Sequence, residues 1–256
     1  MKTSTLRNNR VLRILLPTVF WLAVWQIAAT IVGQELLIPT PVAVLKRFCE
    51  LVITSDFWIA AGMSLLRIFS GAFLGGLLGI ILAAATCRFS IVDMIVSPAL
   101  RVIRAIPVAS FIILVLLWIR KGAVPAVISG LMVMPVMWES VSVGIKSVDH
   151  ELLEMADCYD MGWLAKIRRI YMPSVKPNLI GGIRNCVGLA WKSGVAAEVL
   201  CLPKNAVGSQ VYYSKIYLET PSLFAWTISV VILSLVLEKL IFLILRDRKA
   251  GDSLEN

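Results

Sequence analysis

The sequence holds a single histidine, His150, in 256 residues, which leaves little scope for imidazole chemistry. Its five cysteines (Cys49, Cys87, Cys158, Cys186, Cys201) include no CxxC pair and have no neighbouring histidine. That spacing supports neither a metal site nor a disulfide framework. A phosphate-binding loop of the form G-x-x-x-x-G-K-[ST] is also missing. Trp191-Lys192-Ser193 has the lysine but not the glycine, so no ATP or other cofactor is expected on this chain. Charge is scarce too, at 16% of residues where soluble proteins use about 25%. Hydrophobic residues make up 59%, against about 45–50% in soluble chains, which excludes an ordinary soluble domain and leaves lipid as the solvent. The net charge of +9 does not indicate nucleic acid as a partner, because the basic residues alternate with apolar runs and form no stripe.

What is present is a series of apolar runs. A spanning helix needs about 20 mostly apolar residues. Residues 14–32 form the first such run. It is too long for a signal-peptide core and no convincing small-residue cleavage site follows, so it reads as an uncleaved span. Residues 36–56 are mixed and carry the turn-forming Ile38-Pro39-Thr40-Pro41, which reads as a loop with a short surface helix. Further spans are expected at 68–86 (starting as early as 57), 105–119 (or from Pro98), 122–145, 178–202 and 223–245. Pro107 and Pro135 are expected to bend the third and fourth. The chain thus reads as an all-α integral membrane protein with about six transmembrane helices. No linker or low-complexity segment divides it, so residues 1–256 read as one domain.

Six spans place both termini on one side. Lys2, Arg7, Arg10, Arg13, Arg88, Arg101, Arg104, Lys146, Lys166, Arg168, Arg169, Lys176, Arg246, Arg248 and Lys249 then share that side. Only Lys46, Arg47, Arg120, Lys121, Lys204 and Lys215 face the other. By the positive-inside rule both termini are expected in the cytoplasm.

The longest polar segment, about residues 146–177, falls on the same side. Asp149, Glu151, Glu154, Asp157 and Asp160 precede Lys166, Arg168, Arg169 and Lys176, an order that suits helix dipoles. Leu152, Leu153, Met155 and Ala156 add an apolar surface that a water-filled loop does not need. Such a helix docks on a partner protein or lies on the membrane.

This segment resembles the EAA loop of bacterial ABC importer permeases, whose pattern is E-A-A, three residues, glycine, nine residues, I-x-L-P. Glu154-Met155-Ala156 stands at the E-A-A positions and Ile170-Tyr171-Met172-Pro173 at I-x-L-P. The glycine position holds Asp160, and Gly162 follows two residues later. Ile38-Pro39-Thr40-Pro41, Ser64-Leu65-Leu66-Arg67 with Gly71, Gly75 and Gly79, and Ala190-Trp191-Lys192-Ser193-Gly194 leading to Glu198 are similar to segments of nitrate, sulfonate and taurine importer permeases. The resemblance implies a type I importer permease architecture in a bacterial inner membrane. It sets Glu154, Ala156, Ile170 and Pro173 in a coupling helix that engages a cytoplasmic ABC ATPase dimer carrying ATP and Mg. It further implies a second permease copy, an extracytoplasmic solute-binding protein, and a small organic or inorganic anion as solute.

Gly71, Gly75 and Gly79, with Ala83, recur every four residues and line one helix face, which suits close helix packing rather than a substrate site. Glu139, Lys192 and Glu198 lie at membrane depth, where charge is costly and faces a cavity or a partner. Lys192 and Glu198 stand about 120° apart on one helix and do not pair directly. Lys192 either lines a translocation path, with Glu198 gating or bracing its outer end, or forms a structural ion pair with Glu139. Two rival functions differ in class. An ion-coupled secondary transporter would show inverted repeats and carboxylates on broken helices, and no convincing repeat is present. An intramembrane serine protease ranks last, because His150 falls in the polar loop.

Overall fold

The computed structural model describes residues 10–251, with side-chain surroundings for residues 15–245. Lys2 and Arg7, on which part of the charge asymmetry rests, lie outside the described residues. The elements, in chain order, are α1 (Arg10–Val32), α2 (Pro41–Ile53), α3 (Ser55–Arg88), α4 (Ser90–Ala105), α5 (Val108–Val115), α6 (Val124–Lys146), α7 (His150–Cys158) and α8 (Trp163–Lys166). A π-helical turn, Ile167–Tyr171, leads into α9 (Met172–Cys201), followed by α10 (Val207–Ile216) and α11 (Thr220–Gly251). The described residues contain no strand.

Four segments are long and apolar enough to cross a membrane: Leu15–Val32, Ser55–Arg88, Val124–Lys146 and Thr220–Leu245. The expected third span is not one helix. α4 and α5 meet at 105°, and only as a bent pair do they make a fifth crossing. Pro107 causes the break. It has no N–H to continue a helix, and it drives Ile106 into an extended conformation (ψ 132°). Pro135, by contrast, lies inside α6 without interrupting it. α9, where the fifth span was expected, has 30 residues, about 45 Å at helical rise. Its charged and amide side chains keep it below the apolarity of the other four.

The chain forms two compact units. One comprises the described residues through Trp58 together with Gln210–Ser229. Here Thr40 caps α2, its hydroxyl accepting from the Ala43 N–H (3.3 Å), and Pro41 occupies the first turn, where its missing N–H costs nothing. The Trp25 indole N–H donates to the Pro39 carbonyl (3.1 Å) and its ring stacks on Phe224. Arg47 binds Ser222 (2.8 Å), Glu50 (3.1 Å) and Glu219 (3.6 Å).

The other unit comprises Ile59–Ser209 and the residues from Val230 onward. α6 and α9 form its most extensive helix pair. Ile68 of α3, Val133 and Met137 of α6, and Ala190, Trp191 and Val195 of α9 fill one core. A second joins Ile112 of α5 to Ile128, Ala197 and Cys201. α3 meets α6 backbone to backbone. A Cβ on Gly71 would fall 1.8 Å from the Ala126 carbonyl oxygen, one on Gly75 2.2 Å from that of Gly130, and one on Gly79 2.5 Å from that of Met134. Lipid gives helices no hydrophobic reason to associate, so contact this close and the dispersion it supplies hold the seam. The Ser129 hydroxyl bridges it by donating to the Ile68 carbonyl (2.8 Å).

Candidate functional site

The loop after α6 is built around one short helix. Asp149 caps α7, its carboxylate accepting from the Glu151 N–H (3.0 Å). His150 and Glu154 face each other one turn apart, Nδ1 to Oε1 3.1 Å, both exposed. Ala156 points the other way and is buried. Leu152, Met155, Tyr159, Trp163 and Leu164 are all exposed, Leu164 by 82%. The loop thus presents a run of large exposed apolar side chains.

Asp160 explains how α7 ends. Its N–H donates to the Asp157 carbonyl (3.0 Å), and the Met161 N–H donates to the Ala156 carbonyl (2.9 Å). These two bonds define a Schellman motif, which requires a left-handed residue at the position of Asp160. Asp160 has φ +49°, the region glycine enters without steric cost and aspartate tolerates. The four-residue step from the buried alanine to the family's glycine is therefore the internal spacing of this helix stop, and Asp160 performs it. Gly162 has φ −59° and ψ 153°, open to any residue, and stands at the N-cap of α8. An ion pair between Lys166 and Asp157 ties the two sides of the turn.

Beyond α8 the backbone widens. The Met172 N–H donates to the Ile167 carbonyl, five residues back, just before Pro173, which has no N–H to give. Ile170, in the widened turn, is buried, whereas Pro173 is exposed. The loop thus joins α9 through an irregular turn anchored by one apolar side chain.

The candidate membrane-depth charges do not come together. Glu198 is fully buried. One carboxylate oxygen accepts from the Ser64 hydroxyl (2.8 Å) and the Gly208 N–H (3.1 Å), the other from the Arg67 guanidinium (3.0 Å). The Ser64 hydroxyl also accepts from the Val207 N–H (3.0 Å), and Arg67 reaches the Lys204 carbonyl (3.3 Å). The start of α10 points the Gly208 N–H at the carboxylate, where the helix dipole favours negative charge. This lock joins α3, α9 and the turn between α9 and α10. Sequence reasoning missed Ser64 and Arg67 as partners. Their signal was a serine and an arginine one turn apart on α3, an arginine at depth requiring a carboxylate.

Of the two alternatives for Lys192, the ion pair with Glu139 does not occur. Glu139 pairs with Arg104 of α4, which packs beside α6. Lys192 is exposed and has no ion pair among the described residues. α4 packs against α6 and places Arg104 beside Glu139, which satisfies the carboxylate. No group of three or more metal-ligating side chains occurs among the described residues.

Comparison with known proteins agrees with this architecture. The sequence pattern of the family described as "Binding-protein-dependent transport system inner membrane component" matches residues 75–249, more than half of the chain. The chain is 27% identical over 215 residues to SsuC of Bacillus subtilis, named as an aliphatic sulfonates transport permease, covering 83% of this chain and 77% of that one. It is 25% identical over 193 residues to the nitrate import permease NrtB of Synechococcus elongatus (70% and 68%). It is 24% identical over 191 residues to the glycine betaine/carnitine permease GbuB of Listeria monocytogenes (74% and 67%). The fold matches a chain of a bacterial ABC transporter that imports the acidic polysaccharide alginate, with TM-score 0.64, 16% identity and coverage of 93% and 95%. The chain belongs to the family of binding-protein-dependent transport system inner membrane components and is the multi-pass permease subunit of an ABC transporter.

Proposed function

We propose that this permease forms half of the translocation path of an ATP-driven importer and takes its driving force through α7 from a separate cytoplasmic ATPase. One observation carries the reading: a short, firmly capped helix and the turn and short helix after it leave Leu152, Met155, Tyr159, Trp163 and Leu164 exposed. Burying each such side chain against a partner is worth about 1.5–3 kcal/mol, so a cleft that received them would hold the loop tightly. Glu154 belongs to the presented surface, Ala156 and Asp160 set the helix and its stop, and Ile170 and Pro173 pass its displacement into α9. ATP and Mg sit on the ATPase, and this chain contributes no catalytic group.

The chain works as one of two copies around a shared path, loaded by an extracytoplasmic binding protein, with both termini in the cytoplasm as the lysine and arginine asymmetry supports. The Glu198 lock braces the end of α9 remote from the loop, so force applied at Ile170 moves α9 as a rigid lever. Exposed Lys192 lines the path. The sulfonate and nitrate relatives support a small anion as solute. The test is affinity purification from native membranes. A co-purifying ABC ATPase whose hydrolysis drives uptake is expected; transport by the isolated chain contradicts the proposal.

A further inference from the structure

Two cavities of about 300 Å3 each adjoin at Ile80, which lines both. The deeper one, among α3, α6, α9 and α11, is walled almost wholly by apolar residues, Phe73, Leu77, Val133 and Val187 among them. The other lies where α3 ends, against the segment that joins α7 to α9, and Ala84, Arg88, Trp163 and Tyr171 are among its lining residues. Together they form one groove that follows α3 from Phe73 to Arg88, about 22 Å at helical rise. That exceeds half of the roughly 30 Å hydrocarbon thickness, the depth that one leaflet's acyl chain reaches. Phe73 and Leu77 are exposed, as are Trp163 and Met172, so the groove is open at both its deep and its shallow end.

Charge identifies the occupant. Arg88 is the last residue of a spanning helix and, among the described residues, the only charged one that lines the groove. Its guanidinium makes no hydrogen bond or ion pair among the described residues and rests over the Phe89 ring (5.5 Å to the centroid). Trp163 and Tyr171, in ring contact at 6.1 Å, flank the same end, and Arg168 and Arg169 are exposed on the adjoining turn. Aromatic rings beside an arginine at the end of a span mark the membrane–water interface. A groove that is basic and aromatic there and apolar below matches a molecule with an anionic head and a hydrocarbon tail. We infer that an anionic phospholipid occupies it, with its phosphate on Arg88 and one acyl chain against Ile80, Leu77 and Phe73. The lipid then lies between α3 and residues 163–171, so the charge of the leaflet bears on the turn that joins α7 to α9. Trp163 packs against lipid, which leaves Leu152, Met155 and Tyr159, on α7 and at its C-cap, to a protein partner. The site itself does not rest on the importer reading.

Native mass spectrometry of the purified full-length chain, titrated with dioleoyl phosphatidylglycerol or dioleoyl phosphatidylcholine, tests the site. The two lipids share their tails, so the difference between them reports the head. One phosphatidylglycerol is expected to bind about fivefold more tightly than phosphatidylcholine, the worth of one basic residue at an anionic lipid surface. Arg88→Gln should erase that preference and Arg88→Lys restore it, a pattern that a purely structural role would not give. Ala84→Phe, which fills the groove from α3, should reduce both lipids to the level of nonspecific adducts. Arg120→Gln, at the far end of α6 from the basic mouth of the groove, should change nothing. Equal affinity for the two lipids, or a preference that survives Arg88→Gln, overturns the inference. So does a dimer that carries no lipid where the monomer does, since the second copy then fills the groove. No ATPase enters the assay, so a failed importer reading leaves its result intact.

Discussion

The seam of α3, α6 and α9 and the loop of α7 and α8 treat side chains in opposite ways. Within the seam, glycine brings backbones into contact, and the charge at its edge, Glu198, has every oxygen matched by Ser64, Arg67 or Gly208. In the loop, the backbone is closed with equal care by Asp149 and Asp160, yet its large apolar side chains are exposed. The seam is finished by the chain's own atoms. The loop is finished by its own atoms only in its backbone.

Substitutions that break the seam should have the largest effects. Gly75→Leu drives a side chain into the Gly130 carbonyl, which a Cβ alone would approach to 2.2 Å. It should cost more than the about 4–5 kcal/mol that marks an exceptional substitution, read as loss of folded protein in size-exclusion chromatography. Glu198→Ala strands a largely buried guanidinium and should cost about 3–5 kcal/mol in detergent unfolding, with Arg67→Met restoring much of it in the double variant. In the loop, Asp160→Val forces a branched residue into the left-handed region and should lose about 1–2 kcal/mol, whereas Asp160→Gly should stabilise the turn slightly. A last pair, ending in the smallest effect, sets a paired hydroxyl against an unpaired one. Ser64→Ala leaves its partners unsatisfied and should cost about 1–3 kcal/mol, while Ser142→Ala should be close to neutral in the same unfolding assay.

Much of this was legible in the sequence, and for physical reasons. Apolar runs report spans because lipid tolerates little else, and the four-residue glycine step reports a packing face because helix geometry repeats there. The loop was legible through the distance from Glu154 to Pro173. What escaped depends on contacts between distant elements. Arg67 and Glu198 are 131 positions apart, and nothing local to either names the other. Likewise Pro107 was read as a bend, but no local pattern encodes that α4 and α5 meet there at 105°. Glu139 correspondingly pairs with Arg104, 35 positions away, and not with Lys192.

The most direct measurement is the amount of ATPase retained by a Leu152→Asp, Met155→Asp double variant, compared with the unaltered chain at equal membrane abundance. Charge placed on the presented face should reduce retention by about tenfold or more, as truncating central anchors does at other interfaces. Equal retention would show that the motor does not grip α7, and the account of how force enters this permease would be wrong.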